Sequence, residues 1–392
     1  MAVRSNSFVA RRGMRAPAAL LAMAAALVAR TSPGCPFCTP LKPTLCQARA
    51  SARVTALVEV EGEAAAGATR VKLHRVFEGG DAVGDKTQLT IALDLAARPG
   101  ALLLVFGTGR PDAAPAALAW HAVSVNETSY AYFARAPAAR AATAVRLAYF
   151  ARFLEHADPV VAEDAYLEFA HASFDDVVQV AHLLPADRVR TWLVDANVPS
   201  HRKGLYGLAL GLAREPQDRR TNSELLRKLI LAPEDDFRSG FDGILGGYLL
   251  LTAASGLELV ESRYLADPRA GDGDVRHALA ALRFYHEYGR EIPTARLNAA
   301  ARHLLARPEF AEAATIDLAR WKDWGATDEI AALYARPQYA QPAIRRAIVG
   351  YLLACPDAKA AGALARLRKL DPKGVALAEQ ILSRTGSVPV ND

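Results

Sequence analysis

The sequence predicts an α+β chain of more than one domain: a small N-terminal β-barrel or sandwich, then an all-α solenoid. Three observations carry that expectation. Between residues 54 and 125, five short runs rich in β-branched and apolar residues alternate with glycine-bearing turns. From about residue 138 those signals stop, and amphipathic stretches of helical period replace them. Comparable helical segments then begin near Asp158, Pro199, Asp235, Asp274, Pro308 and Pro342. Paired helices repeating at such intervals stack into solenoids.

Residues 1–34 read as an export signal. Arg4, Arg11, Arg12 and Arg15 precede the apolar run Ala16 to Ala29, the charged-then-apolar order of a secretory signal peptide. In a helix that run spans about 21 Å, short of a ~30 Å hydrocarbon core. No other long uncharged apolar stretch is evident, so no transmembrane segment is expected. Cleavage fits after Ala29 or after Gly34. The second would expose Cys35 as the first residue, where a lipid anchor is one expected outcome. The chain is therefore expected in the periplasm, the cell envelope or outside the cell.

The net charge of +5, from 47 Lys+Arg and 42 Asp+Glu, invites a nucleic-acid reading. All five surplus charges are leader arginines, and residues 35–392 balance 42 basic against 42 acidic side chains. A nucleic-acid partner is not expected.

Cysteines occupy positions 35, 38, 46 and 355. The pair in Cys35-Pro-Phe-Cys38 permits a tight disulfide, the default in an oxidising compartment. A redox dithiol needs a helix N-terminus to lower its pKa, whereas this motif runs into Pro40 and Pro43. Covalent haem needs a histidine at position 39, which is Thr. Zinc would draw on Cys35, Cys38 and Cys46 with His74 or Cys355, against the tendency of exported thiols to oxidise. A structural disulfide among Cys35, Cys38 and Cys46 is the expectation, with Cys355 a buried apolar residue and no cofactor.

The β-module is placed at 35–125. Its strands are Val54–Val60, Ala68–Phe77, Thr87–Leu93, Ala101–Gly107, buried on both faces, and Trp120–Val125, with Gly79-Gly80 as turn chemistry. The early cysteine pair, Val54–Val60, Val71–Gly79 and Gly100–Gly107 resemble netrin-type modules, the OB-like barrels that open tissue inhibitors of metalloproteinases. The resemblance implies an OB-like barrel and, after cleavage at Gly34, a zinc-chelating Cys35 amine. The spacing of Cys35 and Cys38 departs from the inhibitors' closer pair, and no cysteine lies in the strands.

A linker is expected at 126–140, helices at 141–384 and a flexible tail at 385–392. Asp158-Pro159 marks a helix start as N-cap and first residue. The glycines of Gly204-Leu-Tyr-Gly207 and Gly211, with Gly240, Gly243, Gly246 and Gly247, suit close helix packing. Asp274-Val-Arg-His-Ala-Leu279 and the run from Pro342 to Leu353 resemble HEAT repeats, a likeness extending over 158–384. The adjacent acids Glu163-Asp164 and Asp235-Asp236 read as helix-start charges. His156, His171 and His182 show no zinc-ligand spacing. Gly-x-Ser-x-Gly, Walker A and Gly-x-Gly-x-x-Gly are absent from the sequence.

Arg320, Trp321 and Trp324 are the candidates for partner binding, the two indoles expected on one helical turn. Taken whole, the chain resembles an uncharacterised family of exported bacterial proteins through Cys35-Pro-Phe-Cys38, Phe153-Leu-Glu-His156, Gly204-Leu-Tyr-Gly207, Gly246-Gly-Tyr-Leu249 and Leu318-Ala-Arg-Trp-Lys-Asp-Trp324. That resemblance implies export and no particular activity. The expected function is binding or scaffolding of protein partners on the helical surface, with thiol-disulfide or metal chemistry at Cys35/Cys38 and protease inhibition through Cys35 as alternatives.

Overall fold

The computed structural model describes residues 35–38, 42–65, 67–94, 98–233 and 238–385. The expected leader, the acid pair Asp235-Asp236 and the tail from residue 386 lie outside them. Among the described residues the chain is mostly helical, with one five-stranded antiparallel sheet near the N-terminus.

A helix precedes the first strand. In α1 (Leu45–Ser51), the Thr44 hydroxyl accepts from Gln47 N–H while Gln47 Oε1 accepts from Thr44 N–H. This is a reciprocal capping box that stabilises a helix of only seven residues. The strands are β1 (Val54–Ala65), β2 (Ala68–Glu78), β3 (Gln88–Ile91), β4 (Leu102–Thr108) and β5 (Ala119–Ser124), in the order β3-β2-β1-β4-β5. The Gly79-Gly80 turn opens into the single helical turn α2 (Gly80–Val83). Gly79 sits at φ 77°, where a Cβ would lie 2.1 Å from the Arg53 carbonyl oxygen, so glycine alone fits.

Side chains alternate across the central pair. Val54, Ala56, Val58 and Val60 of β1 join Leu103 and Val105 of β4 in one small core, closed by Val71, Leu89, Ile91 and Trp120. Leu57, Leu104 and Phe106 point the other way into the large helical core. Hence β4 is apolar throughout: both of its faces are covered.

Helices α3 (Glu127–Arg135), α4 (Thr143–Phe150), α5 (Pro159–Ala170), α6 (Phe174–Val180) and α7 (Ala186–Val194) follow. The stretch 126–140, read from the sequence as a linker, contains α3, whose Phe133 is buried against Phe77 and Phe106 of the sheet and whose Tyr132 is buried among Tyr149, Phe150 and Phe153. Asp158 caps α5 through Val160 N–H (2.8 Å), with Pro159 at the first helical position, and α5 is buried almost all round.

Next come α8 (Ser200–Gly211), α9 (Pro216–Leu231), α10 (Phe241–Val260), α11 (Asp272–Tyr288), α12 (Thr294–Arg302), α13 (Pro308–Arg320), α14 (Thr327–Leu333), α15 (Pro342–Ala354), α16 (Ala358–Leu370) and α17 (Pro372–Arg384). Helices α8 and α10 meet backbone to backbone through their glycines. A Cβ on Gly207 would lie 2.6 Å from Ile244 N, and one on Gly247 would lie 2.0 Å from Gly207 O. With its following turn, Phe241–Leu265 is long and apolar enough to cross a membrane by length and composition, a stretch the sequence reading passed over. More than half of that stretch is buried inside the protein, and the helix breaks at Ala253 (φ 48°).

Several polar bonds join residues 34 to 36 positions apart. Tyr264 Oη donates to Ile230 O and Tyr339 Oη to Leu305 O, each 34 residues away. Arg283 pairs with Asp317 (34 apart, 2.6 Å), Arg307 with Asp272 (35 apart, 2.6 Å) and Arg238 with Asp274 (36 apart, 2.9 Å).

The glycine contact yields a paired expectation. Gly207→Ala forces two backbones apart and should destabilise the chain by about 2–3 kcal/mol. Gly362→Ala, where a Cβ meets nothing nearer than Arg366 Nη1 at 3.8 Å, should raise stability by up to ~1 kcal/mol. Urea denaturation of both variants checks the opposite signs.

Candidate functional site

The cysteine loop is folded into the protein. Cys35 and Cys38 form a disulfide with Cα atoms 5.2 Å apart. Cys35 is 4% exposed and its N–H donates to Ala170 O (3.1 Å). Between the two sulfurs, Phe37 enters the helical core, its ring centroid 4.6 Å from that of Phe284, against Gly246. A Cβ on Gly246 would lie 2.5 Å from the Phe37 ring, so this glycine makes room for the loop. No described helix begins at the pair; the nearest, α1, starts at Leu45. The helix dipole that activates a redox dithiol is therefore missing at these sulfurs. The disulfide also leaves no Cys35 thiol for a lipid, and the Cys35 nitrogen faces a carbonyl rather than solvent.

Cys46, the third candidate, is a free buried thiol on α1 that donates to Pro137 O (3.5 Å). Burial, then the neighbouring Glu168 and Asp164 charges, push its pKa up to about 12. Cys355 is likewise free and buried, 3.7 Å from the Thr327 hydroxyl. His74 bonds Glu59 (2.8 Å) far from the disulfide loop's partners. Among the described residues, no group of three or more His, Cys, Asp or Glu side chains is placed to hold a metal.

Helix α5 carries polar chemistry into the core that the sequence reading assigned to a helix start. Asp164 accepts from Leu45 N–H (2.7 Å) and from Tyr132 Oη (2.7 Å). It thus ties the first turn of α1, and the chain leading to β1, to the helical core. Burial raises its carboxyl to about 7, against the lowering effect of those two hydrogen bonds. One turn on, the fully buried Glu168 carboxylate pairs with Arg146 of α4. The signal for both was available: acids at positions 163, 164 and 168 interrupt an otherwise largely apolar run.

A second network joins the turn after α4 to α8. Arg202, 5% exposed, donates to both oxygens of Glu155 (3.2 and 3.1 Å) and to Glu163 Oε2 (2.7 Å). Tyr206 Oη donates to Glu155 Oε1 (2.6 Å). Glu155 takes the left-handed conformation, φ 52°, to reach them. Arg202 and Glu163 of this network, with Asp164, line a cleft of about 760 Å³ between α1, the β4–β5 edge and α5, Arg202 and Asp164 being its buried charged members. Leu45, Ala48, Phe106, Val123, Val160 and Leu167 supply its apolar wall, and Lys42 and His121 are also part of its lining.

The tryptophan pair departs from its expected geometry. Helix α13 ends at Arg320, so Trp321 and Trp324 do not share a helical turn. Lys322 adopts φ 57°, Asp323 N–H donates to Leu318 O and Lys322 N–H to Ala319 O. This is a Schellman end with lysine where glycine is usual, which hid it from sequence reading. Arg302 grips Asp323 with two bonds (2.7 and 2.6 Å). Trp321 stacks on His286 (4.4 Å between centroids) and Trp324 packs against Tyr351, both half-buried. Arg320 differs: its side chain is 68% exposed, with the buried Asp317 as its ion-pair partner. It lines a groove of about 770 Å³ across α13, α15 and α17, whose floor includes Ile316, Ala347 and Leu382.

Two outcomes follow. Between pH 4 and 7 the folded chain holds an Asp164 proton that the unfolded chain has released, so stability falls as pH rises through that window. The whole effect is at most about 4 kcal/mol, and Asp164→Asn should remove it in denaturation curves taken across that range. A thiolate-selective reagent should find no reactive cysteine in the native protein and two, Cys46 and Cys355, after denaturation. Comparison of the chain with protein-family models, curated proteins and solved structures finds no match in any of the three.

Proposed function

We propose that this chain is an exported binding protein in which HEAT-like helical repeats carry the surface for a protein partner and an OB-like β-module is packed against them. Support for the repeat reading comes from the bonds at separations of 34 to 36 residues, which stacked copies of one helical unit would generate. Support for the barrel reading comes from the strand order: β3-β2-β1-β4-β5 contains four of the five pairings a closed five-stranded barrel needs, lacking β3 with β5.

The observation that carries the function is the groove on α13, α15 and α17. Ile316 is 41% exposed there, on a helix whose opposite side is core. Arg320 and Arg346 flank it, Arg346 lying 3.8 Å from Glu312. The fitting partner is a protein segment that sets an apolar side chain on Ile316 and an acidic one beside Arg320, whose guanidinium reaches solvent. The neutral charge of residues 35–392 accords with a protein partner rather than a nucleic acid.

The test is a capture experiment on cell-envelope extract with three proteins. A partner held by the wild type should be lost with Ile316→Glu and Arg320→Glu combined, and kept with Val194→Glu, an exposed control on α7. Capture that ignores the groove variant, or repeated absence of any captured protein, sinks this reading.

A further inference from the structure

We propose that the cleft between α1, the β4–β5 edge and α5 is a binding site for a small, mainly apolar molecule that carries a hydrogen-bond-donating head group. This site is separate from the groove on α13, α15 and α17 and does not depend on it. Its volume of about 760 Å³ lies within the range of sites that enclose drug-sized ligands. Its walls come from rigid elements: a capped helix, two paired strands and a helix buried on nearly every side. Leu45, Ala48, Phe106, Val123 and Leu167 give the molecule's body an apolar seat.

The charged members of the lining set the head group. Arg202 spends both terminal nitrogens on Glu155 and Glu163, so it offers no fork to a carboxylate or phosphate. Glu163 uses one oxygen for Arg202, and among the described residues no hydrogen bond occupies Oε1, while Arg202, His201 and Lys42 keep the carboxylate ionised below its usual range despite partial burial. Each Asp164 oxygen accepts one hydrogen bond and retains a lone pair. With Asp164 ionised, these lone pairs outnumber the two buried nitrogens left without a hydrogen bond among the described residues, Arg202 Nε and His201 Nε2. An anion placed there would add to the cost of the buried Asp164 charge, whereas an N–H or O–H donor would reduce it. Lys42, an exposed member of the lining, favours the ionised forms of Glu163 and Asp164 by its charge.

Two dyes that share one aromatic skeleton read this out. N-phenyl-1-naphthylamine is uncharged and carries an N–H; 8-anilinonaphthalene-1-sulfonate adds a sulfonate to the same rings. The amine should bind the wild-type chain saturably, with Kd on the order of 1–100 μM, and the sulfonate at least about tenfold more weakly. Ala48→Trp on α1 and Val123→Trp on β5 fill the cleft from two sides, and each should weaken the amine at least about tenfold. Ala50→Trp, on the exposed side of α1, should leave it unchanged. Hydrogen exchange on the unmodified protein supplies a readout independent of any variant: saturating amine should protect residues 43–51 and 119–124. The proposal is overturned by absent binding, by protection falling on α13, α15 and α17 instead, or by folded Trp variants that bind like wild type. Equal binding of the sulfonate overturns the head-group assignment.

Discussion

The second face of the sheet has to be covered, and most of the architecture answers that need. Leu57, Leu104 and Phe106 project from the central strands away from the small core formed by the other face. Left in water, three large apolar side chains on a flat sheet would cost several kcal/mol and present an aggregation surface. Phe133 of α3 meets that face, edge-on to Phe106 at 6.0 Å between centroids, and Tyr132 and the apolar length of α5 join it in the same core. The sheet and the helices therefore share one core. Because the sheet's edge and α1 do not close completely over α5, the same arrangement leaves a cleft at its margin.

Covering the sheet places α5 where charged residues are costly, and the chain carries two acids there. Glu168 is offset by Arg146; Asp164 is held by two hydrogen-bond donors, a backbone N–H and a phenol. A buried ion pair seldom adds net stability over an apolar replacement, but removing one partner costs 3–5 kcal/mol. What these acids supply is position. Asp164 holds α1 by its first turn, and α1 fixes the entry of β1, the strand at the centre of the sheet. The disulfide loop works similarly by packing: Phe37 reaches Phe284 and Gly246, far along the sequence, and anchors the start of the described chain to the helical region.

Much of this was legible beforehand. All five strands start within one residue of their expected places, because alternation and glycine turns are local signals. Helix starts at Pro159, Pro308 and Pro342 were marked by proline at the first helical position. The close approach of α8 and α10 followed from glycines three and four apart. Helix α1 was missed although its capping box, Thr44 with Gln47, stands in the sequence, since Pro40 and Pro43 drew the eye. The linker expectation at 126–140 overlooked Asn126 as an N-cap, bonded to Thr128 and Ser129 N–H. The end of α13 carried no local signal, because a lysine occupies the left-handed position that glycine usually marks. The cleft and the Glu155–Arg202–Glu163 network were out of reach for a different reason: their members come from elements 47 and 39 residues apart, and no periodicity records which of them meet.

The two recesses have nearly equal volumes and different construction, and construction decides what each can hold. The groove across α13, α15 and α17 lies on alternate helices that pack in turn on one another, with Arg320 and Arg346 among its lining. The cleft at the sheet edge is bounded by elements that run in different directions and meet at buried carboxylates, so it is short and ends in fixed acceptors. An extended partner gains by repeating contacts along parallel elements. A small molecule gains by having one end dehydrated against preset partners, which costs little ordering when the walls are already rigid. The same fold thus offers two unlike recesses, one between packed helices and one where α1, β5 and α5 meet.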